Sequence, residues 1–306
     1  DPADRSQDGL VVIETCCARY EIGADAKNRR FVDKATGKDY LKKANSAFAT
    51  VQKDGKTYDA DSARLEDGIL TVGFGSCGAQ ARLRVKTFDR YFRLDVESVS
   101  GDPDELTFID AALDLAGRLD EPFACCALAL NLKTNVRELP GPNSLLRASC
   151  VKRFGTRGAA AAIISCPTGQ LRDAMKEAVA AAEDLPKSDI GGPWALDADI
   201  NRGSYLFDFG AITEKTVDRW IELAKSLGLN QIDFHIGHSM RFGDCMPNPD
   251  LFPNGKASVK AVIDKMHAAG ISAGLHTYSF FMARNAPWIT PVPDPRLGKD
   301  ATFTLA

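Results

Sequence analysis

The chain has no histidine in its first 234 residues; all four, His235, His238, His267 and His276, fall in the last quarter. Imidazole is the side chain that exchanges protons and binds metals most readily near neutral pH, so this distribution concentrates candidate chemistry at the carboxyl end. Other absences narrow the class. No apolar run approaches the roughly 20 residues that cross a bilayer as a helix, and no signal-peptide pattern stands at the start. The opening residue is Asp1 rather than Met, which suggests either a removed leader or a start chosen for expression. A net charge of −3, with basic and acidic residues interspersed, gives no electrostatic footprint for nucleic acid or an anionic membrane. No Cys-x-x-C occurs among the eight cysteines, which excludes zinc ribbons and thioredoxin-type redox motifs. Cys16-Cys17 and Cys125-Cys126 are adjacent pairs whose side chains would point to opposite faces of a strand, and Cys77, Cys150, Cys166 and Cys245 stand alone. These read as small buried hydrophobes with one or two bridges at most.

What is present is a chain of 306 residues, 44% hydrophobic, long enough for two domains. The first half is rich in short alternating runs: 9–15, 18–23, 47–52, 69–74, 81–87, 91–98, 105–115, 123–132, 145–154 and 158–166. In 91–98, Phe92, Leu94 and Val96 alternate with Arg93, Asp95 and Glu97. Asp54-Gly55 and Asp67-Gly68 sit where tight hairpins need positive φ. Regular short strands with almost no helical periodicity predict a β-sandwich over residues 1–166. Gly73-Phe-Gly75-Ser-Cys-Gly78 has the glycines of a phosphate loop but no following helix, and reads as a turn.

The pattern changes at Pro167. A helix through Leu171, Met175, Val179 and Ala182, followed by Leu185-Pro186 to Gly191-Gly192-Pro193, predicts a helical linker over 167–193. From 194 to 306 strands and helices alternate: strands at 204–209, 231–236 and 272–280, a helix from Thr213 carrying Val217, Trp220, Ile221, Ala224 and Leu227, and a helix at 257–269 stopped by Gly270. Repeated βα units predict a parallel sheet with helices outside it. Pro287 to Pro295 reads as an extended loop over its mouth, and Trp194, Trp288, Tyr205 and Tyr278 as possible stacking surfaces for sugar rings, while Trp220 reads as core.

Within the second strand, alternation places Asp233 and His235 on one face and Ile232, Phe234 and Ile236 on the other. In parallel barrels the polar set at the carboxyl ends of the strands forms the active site, so Asp233 and His235 are expected to point inward. His235, His238, Arg241 and Asp244 follow at or after the strand end, and His276 and Tyr278 share a face of the third strand. Each has a plainer alternative: His235 as an interior histidine bonded to Asp233, His238 as a loop residue, Asp244 as a turn former, Arg241 as the partner of Asp244 or Asp250, Tyr278 as core. His267 lies beside the apolar face of a helix and reads as structural. His235-x-x-His238 with Asp233, Asp244 and His276 offers enough nitrogen and oxygen donors for a divalent metal, but the spacing matches no strong signature, and the expected cofactor is none.

The run Leu227-Gly-Leu-Asn-Gln-Ile-Asp-Phe-His-Ile-Gly-His238, then Gly243-Asp244, Asn248-Pro-Asp-Leu-Phe-Pro-Asn-Gly255 and Met266-His-Ala-Ala-Gly-Ile-Ser-Ala-Gly-Leu-His276 resembles the α-galactosidase clan of glycoside hydrolases. The resemblance implies an N-terminal supersandwich-like domain followed by the first three βα units of a (β/α)8 barrel. It also implies a carbohydrate substrate and secretion or a periplasmic location. Relatives commonly end strand two in Asp-Asp-Gly-Trp, whose carboxylates hold sugar hydroxyls; here His235, Ile236, Gly237 and His238 stand in those places. The clan's nucleophile and acid/base are aspartates on later strands, and retaining hydrolysis needs two carboxyl groups roughly 5 Å apart. The chain is therefore expected to supply sugar-binding residues, with the remainder of the barrel coming from the same or another chain, because three parallel strands leave an open edge. Two other functions fit the same residues. One is a lyase acting on a uronate-containing glycan, with His235 or His276 as base, Tyr278 as acid and Arg241 on the carboxylate. The other is a non-catalytic carbohydrate-binding fragment.

Overall fold

In the computed structural model, residues 9–118, 120–136, 144–185 and 203–278 are described, with the isolated positions 187, 198, 281–283 and 286. The predicted stacking residues Trp194 and Trp288 and the proline-rich 287–295 lie outside these. The chain divides into two compact units, Asp1–Leu196 and Asp197–Ala306.

The first unit is built of antiparallel sheets. Strands β1 (Leu10–Glu14), β2 (Ala18–Gly23) and β3 (Asn28–Asp33) form one sheet. β4 (Thr50–Lys53), β5 (Lys56–Asp59), β10 (Glu105–Ala112) and β12 (Leu145–Val151) form another, in the order β12-β10-β4-β5. The third runs β11-β13-β9-β8-β7-β6, from β6 (Ser62–Glu66), β7 (Ile69–Phe74), β8 (Ala79–Thr87), β9 (Tyr91–Ser100), β11 (Phe123–Ala129) and β13 (Ala160–Pro167). Their inward residues, among them Tyr20, Phe31, Phe48, Phe92, Phe108 and Phe123, share one core, which is the interior of a β-sandwich. Asp54-Gly55 and Asp67-Gly68 close the β4–β5 and β6–β7 hairpins with positive φ at all four residues, as the hairpin geometry demands. In the Gly73 to Gly78 segment, Gly73 and Phe74 end β7 and Gly75–Cys77 form a short 3-10 turn before β8.

The segment read as a linker carries helix α1 (Leu171–Ala180), whose Ala174 and Ala178 are buried against Ala160, Ala162 and Ile164 of β13. All eight cysteines are free thiols, so the bridges allowed for above do not form. Cys125, Cys126, Cys150 and Cys166 are buried, and burial pushes the Cys126 and Cys150 thiols up to about 12.

The second unit is a three-stranded parallel sheet, β14 (Tyr205–Asp208), β15 (Gln231–His235) and β16 (Ser272–His276), in that order, with helices α2 (Val217–Ser226) and α3 (Lys256–Ala268). The two connections end alike. After α2, Gly228 donates to the Lys225 carbonyl and Leu229 to that of Ala224; after α3, Gly270 donates to His267 and Ile271 to Met266. Both are Schellman closures with glycine at positive φ, and each delivers an apolar residue, Leu229 or Ile271, to the start of the next strand. Ile232 and Phe234 of β15 pack with Ile221, Ala224, Val262 and Met266 of the helices, which leaves the opposite face of the sheet free of folding duty. Among the described residues no helix is long and apolar enough to cross a membrane.

Candidate functional site

The parallel register sets the face opposite the helices. Phe207, Asp233 and Gly274 form one row across β14, β15 and β16, and His235 pairs with His276 in the next row along. The alternation expected for β15 is observed: Ile232 and Phe234 are buried, while Gln231, Asp233 and His235 are half-buried. His235 is central to the cluster. Its ring centroid lies 5.6 Å from those of His276 and Tyr278, 5.2 Å from His238 and Phe207, and 4.8 Å from Phe209, which stacks on it at 24°. His235 Nε2 stands 3.4 Å from Tyr278 Oη, and its Nδ1 stands 3.4 Å from Nδ1 of His238. Tyr278 also meets the edge of His276 at 4.9 Å. Burial, and the two neighbouring histidines, lower the His235 pKa, so this imidazole is held neutral to more acid pH than an ordinary one.

His238 reaches the cluster because the chain turns sharply after β15. Gly237 adopts a φ of +95°, its amide donates to the Met240 carbonyl, and the amides of His238 and Ser239 return to the His235 carbonyl. The Phe242 ring packs so closely on Gly237 that a Cβ there would lie 2.5 Å from it. Beneath this turn lies a residue that the sequence reading did not single out. Asp208 is buried on the helix side of β14; its carboxylate accepts the amides of Ala211 and Ile212 at 2.8 and 3.2 Å and the Ser239 hydroxyl at 3.3 Å. It ties the turn after β14 to the loop that carries His238. Its only signal in the sequence is an Asp at a strand end followed within a few residues by a helix start, a pattern of local capping.

The six groups expected to converge divide in two. His235, His238, His276 and Tyr278 come together. Arg241 and Asp244 instead pair with each other, Nε donating to Oδ1 at 2.9 Å with a second bond from the guanidinium to Oδ2. That pairing holds the Asp244 carboxyl below the usual range. Arg241 and His238 border a cavity of 690 Å³, lined also by Phe242, Asn248 and Phe252, whose described lining excludes His235, His276 and Tyr278. Asp233 remains on the cluster's face but is engaged by Gln231 Nε2 at 2.7 Å. His267 is exposed in the last turn of α3, outside the cluster. Trp220 is half-buried against the second unit's core, as expected, and Tyr205 is exposed.

No protein-family model and no curated protein matches the sequence. Solved structures do match in fold, and the chain resembles the α-galactosidase clan of glycoside hydrolases. An α-N-acetylgalactosaminidase from Bifidobacterium bifidum superposes with a TM-score of 0.51 at 9% identity, covering 94% of this chain and 61% of that one. An α-galactosidase from Geobacillus stearothermophilus, in complex with stachyose, gives 0.47 at 11% identity over 97% of this chain and 61% of that one. One from Lactobacillus brevis gives 0.45 at 11% identity over 97% and 59%. The chain therefore spans about three-fifths of the length of each of these structures.

Proposed function

We propose that the chain is part of a secreted or periplasmic glycoside hydrolase, that its second unit opens a (β/α)8 barrel, and that the histidine cluster binds sugar at the barrel mouth. The observation that carries this reading is the convergence of His235, His276 and Tyr278 beside Phe207 and Phe209 at the carboxyl ends of parallel strands, the end at which barrel enzymes bind their substrates. Two kinds of group suited to a sugar are present: ring nitrogens and a phenol that exchange hydrogen bonds with hydroxyls, and aromatic faces against which a pyranose C–H face can lie. His235, His238, His276, Tyr278 and Asp233 would hold the hydroxyls. The carboxylate pair required for hydrolysis would come from further strands of the barrel. The fold likeness and the motif resemblance of residues 227–276 support the assignment.

A second reading draws on one contact. Tyr278 Oη and His235 Nε2, 3.4 Å apart, would serve as the acid and base that β-elimination on a uronate requires. Against it, the guanidinium expected on the substrate carboxylate is already held by Asp244. The discriminating experiment offers α-galactosides and uronate-containing oligosaccharides to the 306-residue chain and follows ligand signals by saturation-transfer NMR. Binding of a neutral glycoside that is lost in His235→Ala and in His276→Ala supports the first reading. Binding unchanged in both variants removes the site. Release of a product with the ultraviolet absorbance of an unsaturated uronate decides for the lyase.

A further inference from the structure

One polar approach in the histidine cluster is between two imidazoles rather than between a base and a carboxylate. His235 Nδ1 and His238 Nδ1 stand 3.4 Å apart. As a hydrogen bond this is poor, since N–H donors prefer about 2.9–3.0 Å. As a bite it is well matched: two nitrogens each about 2.0–2.1 Å from a tetrahedral zinc ion are separated by roughly 3.3–3.4 Å, whereas adjacent positions of an octahedral ion at the same distance would bring them to about 3.0 Å. We propose that His235 and His238 together form a site for a tetrahedral divalent transition-metal ion, with zinc as its representative, at the carboxyl end of β15.

The surroundings support the pair. The turn at Gly237 folds His238 back over the strand that carries His235, and this turn is anchored by two bonds, Asn248 Nδ2 to the His238 carbonyl and the Asn248 amide to the Ser239 carbonyl. Asp208, through Ser239, anchors it from the helix side. Both ligands are thus presented by backbone that is fixed without a metal. With Nδ1 as the ligand, the His235 proton sits on Nε2 and faces Tyr278 Oη, the outer partner that a metal-bound imidazole usually has. His276, paired with His235 in the strand register, has its ring centroid 5.6 Å away. Among the described residues no three donor side chains are already gathered for a metal, so the site as built is a two-histidine one whose remaining positions go to water or to ligand oxygens. The inference stands apart from the carbohydrate reading, because it depends only on the spacing of the two rings.

The test uses the full 306-residue chain without an affinity tag, stripped with a chelator and titrated with Zn²⁺ by calorimetry. One equivalent should bind. Saturable binding should be lost in His235→Ala and in His238→Ala, stay unchanged in His267→Ala on exposed α3, and weaken about tenfold in Tyr278→Phe. X-ray absorption on the unaltered protein gives a readout independent of whether the variants fold. A first shell of nitrogen and oxygen at about 2.0 Å supports the site, while sulfur at about 2.3 Å would move the metal to the cysteines and overturn it. Absence of saturable binding, or binding that survives the double variant His235→Ala/His238→Ala, overturns it equally.

Discussion

Replacing Gly274 by alanine tests whether the register of the parallel sheet, rather than the side chains alone, builds the candidate site. Gly274 lies opposite Asp233 in the β15–β16 pairing, and a Cβ added to it would sit 2.0 Å from Asp233 Oδ1 and 3.2 Å from Gln231 Nε2. The backbone at Gly274 is not in the left-handed region, so the cost arises from crowding and not from φ. Asp233 must swing away and give up the bond from Gln231. An off-rotamer side chain costs about 0.5–1.5 kcal/mol. A hydrogen bond to a charged acceptor is worth about 1.5–3 kcal/mol, and half-exposure places this one at the low end. Against these, alanine lowers the entropy of the unfolded chain and returns about 0.4–1 kcal/mol. The net expectation is a loss of about 1–2 kcal/mol.

The assay is urea unfolding followed by circular dichroism and by tryptophan fluorescence, to which Trp220, packed on the second unit's core, contributes. A double-mutant cycle with Asp233→Ala isolates the clash. Once the carboxylate is gone the methyl has room, so Gly274→Ala should then be neutral or slightly stabilising, with a coupling of at least about 1 kcal/mol. A coupling near zero, with Gly274→Ala equally harmful in both backgrounds, would show that the row Phe207, Asp233, Gly274 is not assembled as described.

Phe252→Ala should cost about 3–5 kcal/mol, since the ring is wholly buried in the second unit's core, and should separate that unit's unfolding from the sandwich's into two transitions by calorimetry. Asp244→Asn should destabilise near pH 7 and progressively less toward pH 2: the Arg241 bond lowers the folded pKa of Asp244, so its contribution is fully present above the ordinary carboxylate value of about 3.9 and is lost as pH falls through the lower folded value. Urea midpoints against pH check this, and a constant difference between the two proteins down to pH 2 would contradict it. The buried thiols Cys125, Cys126, Cys150 and Cys166 should resist a disulfide reagent at pH 8 until urea unfolds the sandwich, while exposed Cys16 reacts in the native state, as peptide mapping of the labelled protein would show. Asp208→Ala should cost about 1–3 kcal/mol because the amides of Ala211 and Ile212 lose their acceptor, and it should broaden the His238 ring signals in NMR while leaving those of His267 unchanged.

The elements that the sequence made legible are those with a clear period. β2 and β7 fall on the predicted residues, and β15, α3 and β16 begin within a residue of expectation, because each alternates or repeats cleanly and each helix stops at a glycine. β3 went unrecognised because Asn28-Arg-Arg-Phe-Val-Asp33 hides a core strand behind charge. Its Asn28 is fully buried yet satisfied by Tyr20 Oη, Ser46 Oγ and the Asp110 carbonyl, contacts that only the assembled sandwich supplies. β5 is short and largely polar, with Lys56 and Thr57 exposed, and β6 buries only Ala63 and Leu65, a two-residue alternation too short to stand out. Within the site, the face of β15 opposite the helices followed from alternation alone. The meeting of His238 with His235 did not, since it depends on the φ of one glycine, and neither did the pairing of Arg241 with Asp244 to each other instead of with the cluster.

That division of labour along β15 decides how the site can vary. Ile232 and Phe234 are held by helix packing, so substitutions there are paid in stability, whereas Asp233 and His235 one position away carry no core contact. The exposed side of β15 is therefore free to change chemistry without unfolding the unit, whereas Ile236, which follows the strand, is buried. The residues at this strand end have a chemical consequence. Two carboxylates as close as this would repel each other and only accept hydrogen bonds, whereas His235 and His238 bring two ring nitrogens to 3.4 Å. The strand end thus presents paired nitrogens, which take a different set of ligands from paired anions.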